Sequence, residues 1–117
     1  MRFICLVYFE PENTAALSPS DKATLDRDSM AYDVDLGESG HFIAADALMP
    51  VRSARTVRVR RGQASVTDGP FAETKEQLGG FILIEAADMN EALEIAEKIP
   101  MAKIGSVEVR PAMKISS

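Results

Sequence analysis

At 117 residues the chain reads as one domain, 1–117, long enough to bury roughly two-thirds of its unfolded surface without staples. A net charge of −5 and a pI of about 4.8 exclude a global field that would recruit nucleic acid or an anionic membrane. The lone Cys5 forbids an internal disulfide, no apolar run approaches the ~20 residues of a membrane span, and the N-terminus lacks a signal-peptide layout, so a soluble cytoplasmic protein is expected.

Arg2–Tyr8 is a near-continuous apolar run of strand formers and reads as a central strand, ended by Glu10-Pro11-Glu12-Asn13. Ser18-Pro19-Ser20-Asp21 is a helix start, with Ser18 as N-cap, Pro19 at the first helical position and Asp21 on the positive end of the dipole. The helix is expected to reach about Glu38 and to stop at Gly40. Its apolar stripe, Ala23, Met30, Ala31 and Val34, is thin. Six carboxylates along it read as a solvated outer face, with an acidic docking surface as the alternative. His41–Met49 is expected to be the second strand, closing a β-α-β unit.

Arg55–Arg61 alternates, with Val57 and Val59 on one face and Thr56, Arg58 and Arg60 on the other. Gly62-Gln63 fits a two-residue type II′ turn returning through Ala64–Thr67, so 55–67 is predicted to be a hairpin. Asp68-Gly69-Pro70 is a turn in which Gly takes φ > 0 and Pro keeps Gly69 out of the α region. Gly79-Gly80, at the entrance to the apolar strand Phe81–Glu85, suggests a bulge or a close backbone approach. Residues 68–80 are therefore expected to rim a pocket or interface, with Phe71 as its apolar anchor. Asp88-Met89-Asn90-Glu91 is a capping box in its Asp form, and Met89, Ala92, Leu93, Ala96 and Ile99 repeat at helical spacing before Pro100. Ser106–Met113 supplies the last strand.

Two split β-α-β halves around a hairpin predict an α+β, ferredoxin-like sandwich with both helices on one face of an antiparallel sheet. Phe3, Phe42 and Phe81 are candidates for the other face, and a second subunit packed sheet to sheet is its expected cover.

His41, the one histidine, reads as a partly exposed structural residue at a strand start or, in a functional role, as the general acid or base near neutral pH with Asp46 as its orienter. Their odd spacing sets them on opposite strand faces unless a bulge intervenes. Asp46 is a carboxylate in an apolar strand, equally suited to a salt bridge, a pocket rim or catalysis. Asp68 builds its turn, with proton transfer or ligand contact as the alternative. Glu73, Lys75 and Glu76 read as a solvated helical turn or a polar pocket mouth. Arg58, Arg60 and Arg110 could hold an anionic ligand through bidentate bonds, or pair with Glu108 across strands. Tyr32 is placed to look into a cleft. One His, one Cys and scattered carboxylates give no metal set, and no cofactor motif is present.

The run Val66-Thr67-Asp68-Gly69-Pro70-Phe71-Ala72-Glu73-Thr74-Lys75-Glu76-Gln77-Leu78-Gly79-Gly80-Phe81 resembles the signature of the DGPF branch of the YCII-related (YciI-like) family. LSPSDKATLDRD, TVRVRRG, DMNEALEIAEKIP and SVEVRP extend the likeness over nearly the whole chain. The resemblance implies a dimeric α/β-barrel, two ferredoxin-like sheets facing each other around a cleft. It also implies either cofactor-free lyase- or hydrolase-type chemistry on a small molecule, or a ligand-sensing or adaptor module linked to extracytoplasmic-function sigma factors. YciI-like enzymes are proposed to use a His–Asp pair. Here the Asp position falls at Asp46, while the helix position of the His falls near Ser29, a departure from the pattern.

Overall fold

In the computed structural model, which describes residues 1–115, the strand formers of Arg2–Phe9 make β1. It lies inside a four-stranded sheet of order β2-β5-β1-β6, in which every neighbouring pair is antiparallel. The partners are β2 (Phe42–Ala47), β5 (Gln77–Glu85) and β6 (Ser106–Pro111). A short helix α1 (Pro11–Ala15), absent from the sequence reading, follows β1. The long helix α2 spans Pro19–Glu38, with the Ser18 hydroxyl accepting from the Asp21 amide at 3.0 Å. The helix α3 spans Met89–Glu97, where the Asp88 carboxylate accepts from the Glu91 amide and Glu91 reaches back to the Ala87 amide, both at 2.9 Å.

Alternate residues of β1 and β5, Phe3, Cys5, Val7, Ile82 and Ile84, face one way and are buried against Leu36 of α2 and Ala92, Ile95 and Ala96 of α3. Both helices thus share one face of the sheet, the α+β arrangement expected of a ferredoxin-like fold. Burying side chains such as Phe3 and Ile84 stabilises the fold by about 1.5–3 kcal/mol each. Phe3, 1% exposed, and Phe42, in register with Ile84, belong to this core and not to the outer face where they were expected. Phe81, paired with Leu6, is on the outer face by register, with Ile4 and Leu83 beside it, all partly exposed.

Cys5 is fully enclosed, and loss of solvation pushes its thiol up to about 11. A thiol reagent at pH 8 is therefore expected to label Cys5 only as fast as the protein opens. Labelling at the rate of a small exposed thiol would show that the core is not closed.

The hairpin forms a separate two-stranded sheet, β3 (Arg55–Arg60) with β4 (Gln63–Asp68). Its turn residues are Arg61 and Gly62, both with positive φ (54° and 75°), a type I′ turn and not the type II′ turn centred on Gly62-Gln63. Register pairs Arg60 with Gln63, one residue from the expected closure. The hairpin is an arm. The molecule measures 46 × 44 × 19 Å and its radius of gyration is 16.2 Å, against about 13 Å for a compact chain of this length.

The inward stripe of α2 also differs from expectation. Leu25, Ser29, Tyr32, Asp33 and Leu36 turn toward the sheet, whereas Met30 and Val34 are 71% and 60% exposed. Polar Ser29 and Asp33 in the middle of the stripe hid it from a hydrophobic pattern. No helix among the described residues is long and apolar enough to cross a membrane.

Candidate functional site

Two concavities separate the residues that the sequence grouped. The first, of about 280 Å³, lies between α2 and the end of the sheet where β1, β2 and β5 meet. Its shape follows from the glycine pair. Val7 pairs with Gly80 and Tyr8 with Leu78, so Gly79 is an extra residue bulged from β5. A Cβ on Gly79 would run into the Phe9 ring, and one on Gly80 would come within 2.9 Å of the Asp46 carbonyl oxygen. Removing two side chains thus lets the Phe9 ring and the β2 main chain close the floor.

The α2 side of this cavity is polar. Ser29 and Asp33, one turn apart on the same face, line it with the Tyr32 ring between them. Burial holds the Asp33 carboxyl above the ordinary carboxylate value, which favours its protonated form and makes it a stronger base once ionised. The Tyr32 hydroxyl is engaged, donating to the Ile95 carbonyl at 2.7 Å, and burial, then Cys5 and Asp35, push its phenol up as well. Its contribution to the cavity is a flat apolar wall. Asp46 borders the cavity, but register pairs it with Phe81, out of phase with the Ala45–Ile82 pair that faces the helices.

The second concavity, about 870 Å³, sits at the root of the arm between Met49, Arg52 and the Asp-Gly-Pro-Phe bend. Gly69 takes φ 100°, as the turn requires, and Phe71 lines this hollow, largely exposed. The bend and Asp46 therefore open on different cavities.

His41 lines neither. Its Nδ1 donates to the Glu85 carbonyl at 2.8 Å and stands 3.8 Å from Glu91 Oε1, so the ring ties the start of β2 to the end of β5 and the head of α3. A register shift between Phe42 and Ala44 supplies the bulge that a His41–Asp46 dyad would need. The two still occupy opposite ends of the strand, roughly 16 Å apart at ~3.3 Å per residue. Asp68 is solvent-exposed at the end of β4, 3.6 Å from Arg55 Nε. Lys75 lies 3.4 Å from Glu10 Oε1, and the Glu76 carboxylate accepts from the Ser106 hydroxyl at 2.8 Å. Residues 69–76 form bends with no helical turn.

The arginines are not brought together either. Arg58 stacks over the Phe71 ring at 5.5 Å, in the arm. Arg110 lies on β6, at the far edge of the main sheet, bonded to Glu108 on its own strand and not across strands. Phe9, Asp33 and Arg52 are among the lining residues that sequence reasoning missed. The signal for Asp33 was its phase with Leu25, Ser29, Tyr32 and Leu36.

Comparison with known proteins agrees with this architecture. The model of the YCII-related domain matches residues 1–116. An uncharacterised protein of Rhizobium meliloti is 40% identical over 113 residues, covering 95% of this chain and 91% of that protein. Among solved structures, the 5-chloro-2-hydroxyhydroquinone dehydrochlorinase of Burkholderia phenoliruptrix, in complex with 2,5-dihydroxybenzoquinone, superposes with a TM-score of 0.56. It covers 97% of this chain and 94% of its own at 16% identity, a likeness of fold. With a family model spanning nearly every residue and a relative at this identity, the chain belongs to the YCII-related family.

Proposed function

We propose that the chain is a cofactor-free acid–base catalyst of lyase type, acting on a small hydroxylated ring held beneath α2. The observation that carries this is Asp33, a carboxyl with its pKa raised by burial, in the wall of a cavity with room for a single ring. A base poised nearer the working pH transfers protons most effectively. In this reading Asp33 carries a proton from one ring hydroxyl to the ring carbon bearing the leaving group, then takes a second hydroxyl proton as that group departs with its bonding pair and the ring becomes a quinone. Ser29, one turn away, hydrogen-bonds the substrate, and the Tyr32 ring and Phe9 hold its flat faces. The similar fold of a dehydrochlorinase that binds a dihydroxybenzoquinone supports the choice of ligand class.

Two copies would face their sheets as a dimeric α/β-barrel. The apolar row Ile4, Leu6, Phe81 and Leu83, partly exposed on the side the helices leave open, supports that packing.

Thermal unfolding with added 2,5-dihydroxybenzoquinone tests the site. At a hundred times its Kd, a ligand of the folded state stabilises by about 2.7 kcal/mol. Ala45→Leu, which fills the cavity from β2, is expected to abolish the shift. A shift of equal size in that variant removes this cavity from the proposal. Ligand stabilisation with no turnover of a chlorinated hydroquinone would instead leave a ligand-sensing module.

A further inference from the structure

Little holds α2 in place for a helix of 20 residues. Leu36, in its last turn, is its one buried side chain, and Leu25, Ser29, Tyr32 and Asp33 of the inward stripe are only half-buried. The opposite side carries Ala23, Met30 and Val34, so apolar burial gives a weak preference between the two rotations. Among the described residues α2 makes no ion pair with any part of the chain. Among the same residues its side-chain hydrogen bonds stay within the helix and its Ser18 cap, with one exception. The Tyr32 hydroxyl donates to the Ile95 carbonyl of α3 at 2.7 Å.

The acceptor follows from where α3 ends. Ile95 lies in the last turn of Met89–Glu97, where carbonyls lose the amide four residues on. That amide, of Ile99, bonds Ala96 instead, and the Lys98 amide reaches the Ile95 oxygen at 3.3 Å, a long bond. The hydroxyl of Tyr32 completes that carbonyl's bonding. On α2, successive residues are turned by ~100°, so Tyr32 and Asp33 stand at the two margins of the inward stripe. Fixing one margin to α3 therefore fixes the angle at which the other meets the cavity.

We propose that the Tyr32 hydroxyl is a positioning group: bonded to Ile95, it locks the rotation of α2 and so holds Asp33 in the wall of the cavity. The inference rests on the reading of Asp33 as the proton carrier. A half-buried carboxylate is held there at a cost in solvation, so a helix released from α3 rolls toward the side that wets it. The ring of residue 32 keeps its place as an apolar wall without the hydroxyl, and substitution can therefore separate the two parts of the side chain.

Tyr32→Phe makes that separation. With a chlorinated hydroquinone its kcat is expected to fall by about 10–10²-fold, as for a displaced reacting group, while KM stays within about twofold because the wall remains. In the Asp33→Asn background the same substitution should cost nothing further, since no carboxylate is left to position. A readout that needs no substrate is the carboxyl carbon resonance of Asp33, identified by its loss in Asp33→Asn. Its titration midpoint, above 3.8 in the wild type, should drop toward 3.8 in Tyr32→Phe. Circular dichroism verifies that each variant is folded. A hydroxyl held only for stability would lower Tm and leave kcat and the titration where they were. An unchanged kcat, losses that multiply in the double variant, or an unmoved Asp33 titration overturns the proposal. A wild-type chain without turnover would remove the catalytic reading alone, and the titration would still decide whether Tyr32 sets the placement of Asp33.

Discussion

Asp33→Asn is expected to lose about 10²–10⁴-fold in turnover of a chlorinated hydroquinone while becoming more stable at neutral pH. The two effects have one cause. Burial raises the Asp33 carboxyl above its ordinary 3.8, so the folded chain holds that proton more tightly than the unfolded chain does. The stability it contributes is complete below the ordinary value and is lost as pH rises through the raised folded value. Asparagine cannot ionise, so variant and wild type should match in acid and separate as pH rises above about 4, with the variant ahead. Urea unfolding at a series of pH values reads the difference, and turnover on the same samples reads the activity. A variant that is less stable at pH 7, or that keeps its turnover, removes Asp33 from the proposed role. A residue held only for structure would give loss of stability and loss of activity together.

Gly105→Ala is expected to destabilise the fold by about 3 kcal/mol, lowering Tm by roughly 10 °C. Gly105 immediately precedes β6, and a Cβ there would collide with the Tyr8 carbonyl oxygen of the interior strand β1. The obstacle is main chain in the middle of the sheet, so relief requires moving β6 away from β1. Gly79→Ala meets only the Phe9 ring, which can swing, so its cost should be smaller and its effect on the cavity larger. Gly37→Ala is the control. Nothing lies within 4 Å of its added methyl, and the helix should gain up to about 1 kcal/mol. A Gly105→Ala protein melting with the wild type would show that β6 does not pack this closely.

The local devices were legible because each is settled by neighbours in the chain. Ser18 caps α2, Asp88 caps α3, and the Gly79-Gly80 pair bulges at the mouth of β5. The turn type of the arm was less so. Arg61 at φ 54° is a conformation that a non-glycine residue adopts rarely, so the pattern favoured a turn with glycine first. The site was legible only in pieces. Tyr32 and Asp46 were picked out and do border the cavity, while Asp33 was counted among solvated carboxylates. His41 drew attention as the one imidazole, yet its ring is committed to the Glu85 carbonyl.

By itself the sequence determined which segments become the strands and the two longer helices, and where those helices begin. Those outcomes depend on periodicity and on hydrogen bonds reaching three or four residues along the chain. Tertiary structure alone decided that α2 presents Ser29, Tyr32 and Asp33 to the sheet and leaves Met30 and Val34 outside. It also decided that the arm stands clear of the main sheet and that the Asp-Gly-Pro-Phe bend opens on a different hollow from Asp46. A helix with two weak apolar stripes has no local preference between them. The rotation is set by what the sheet, α3 and the floor made by Gly79 and Gly80 leave room for.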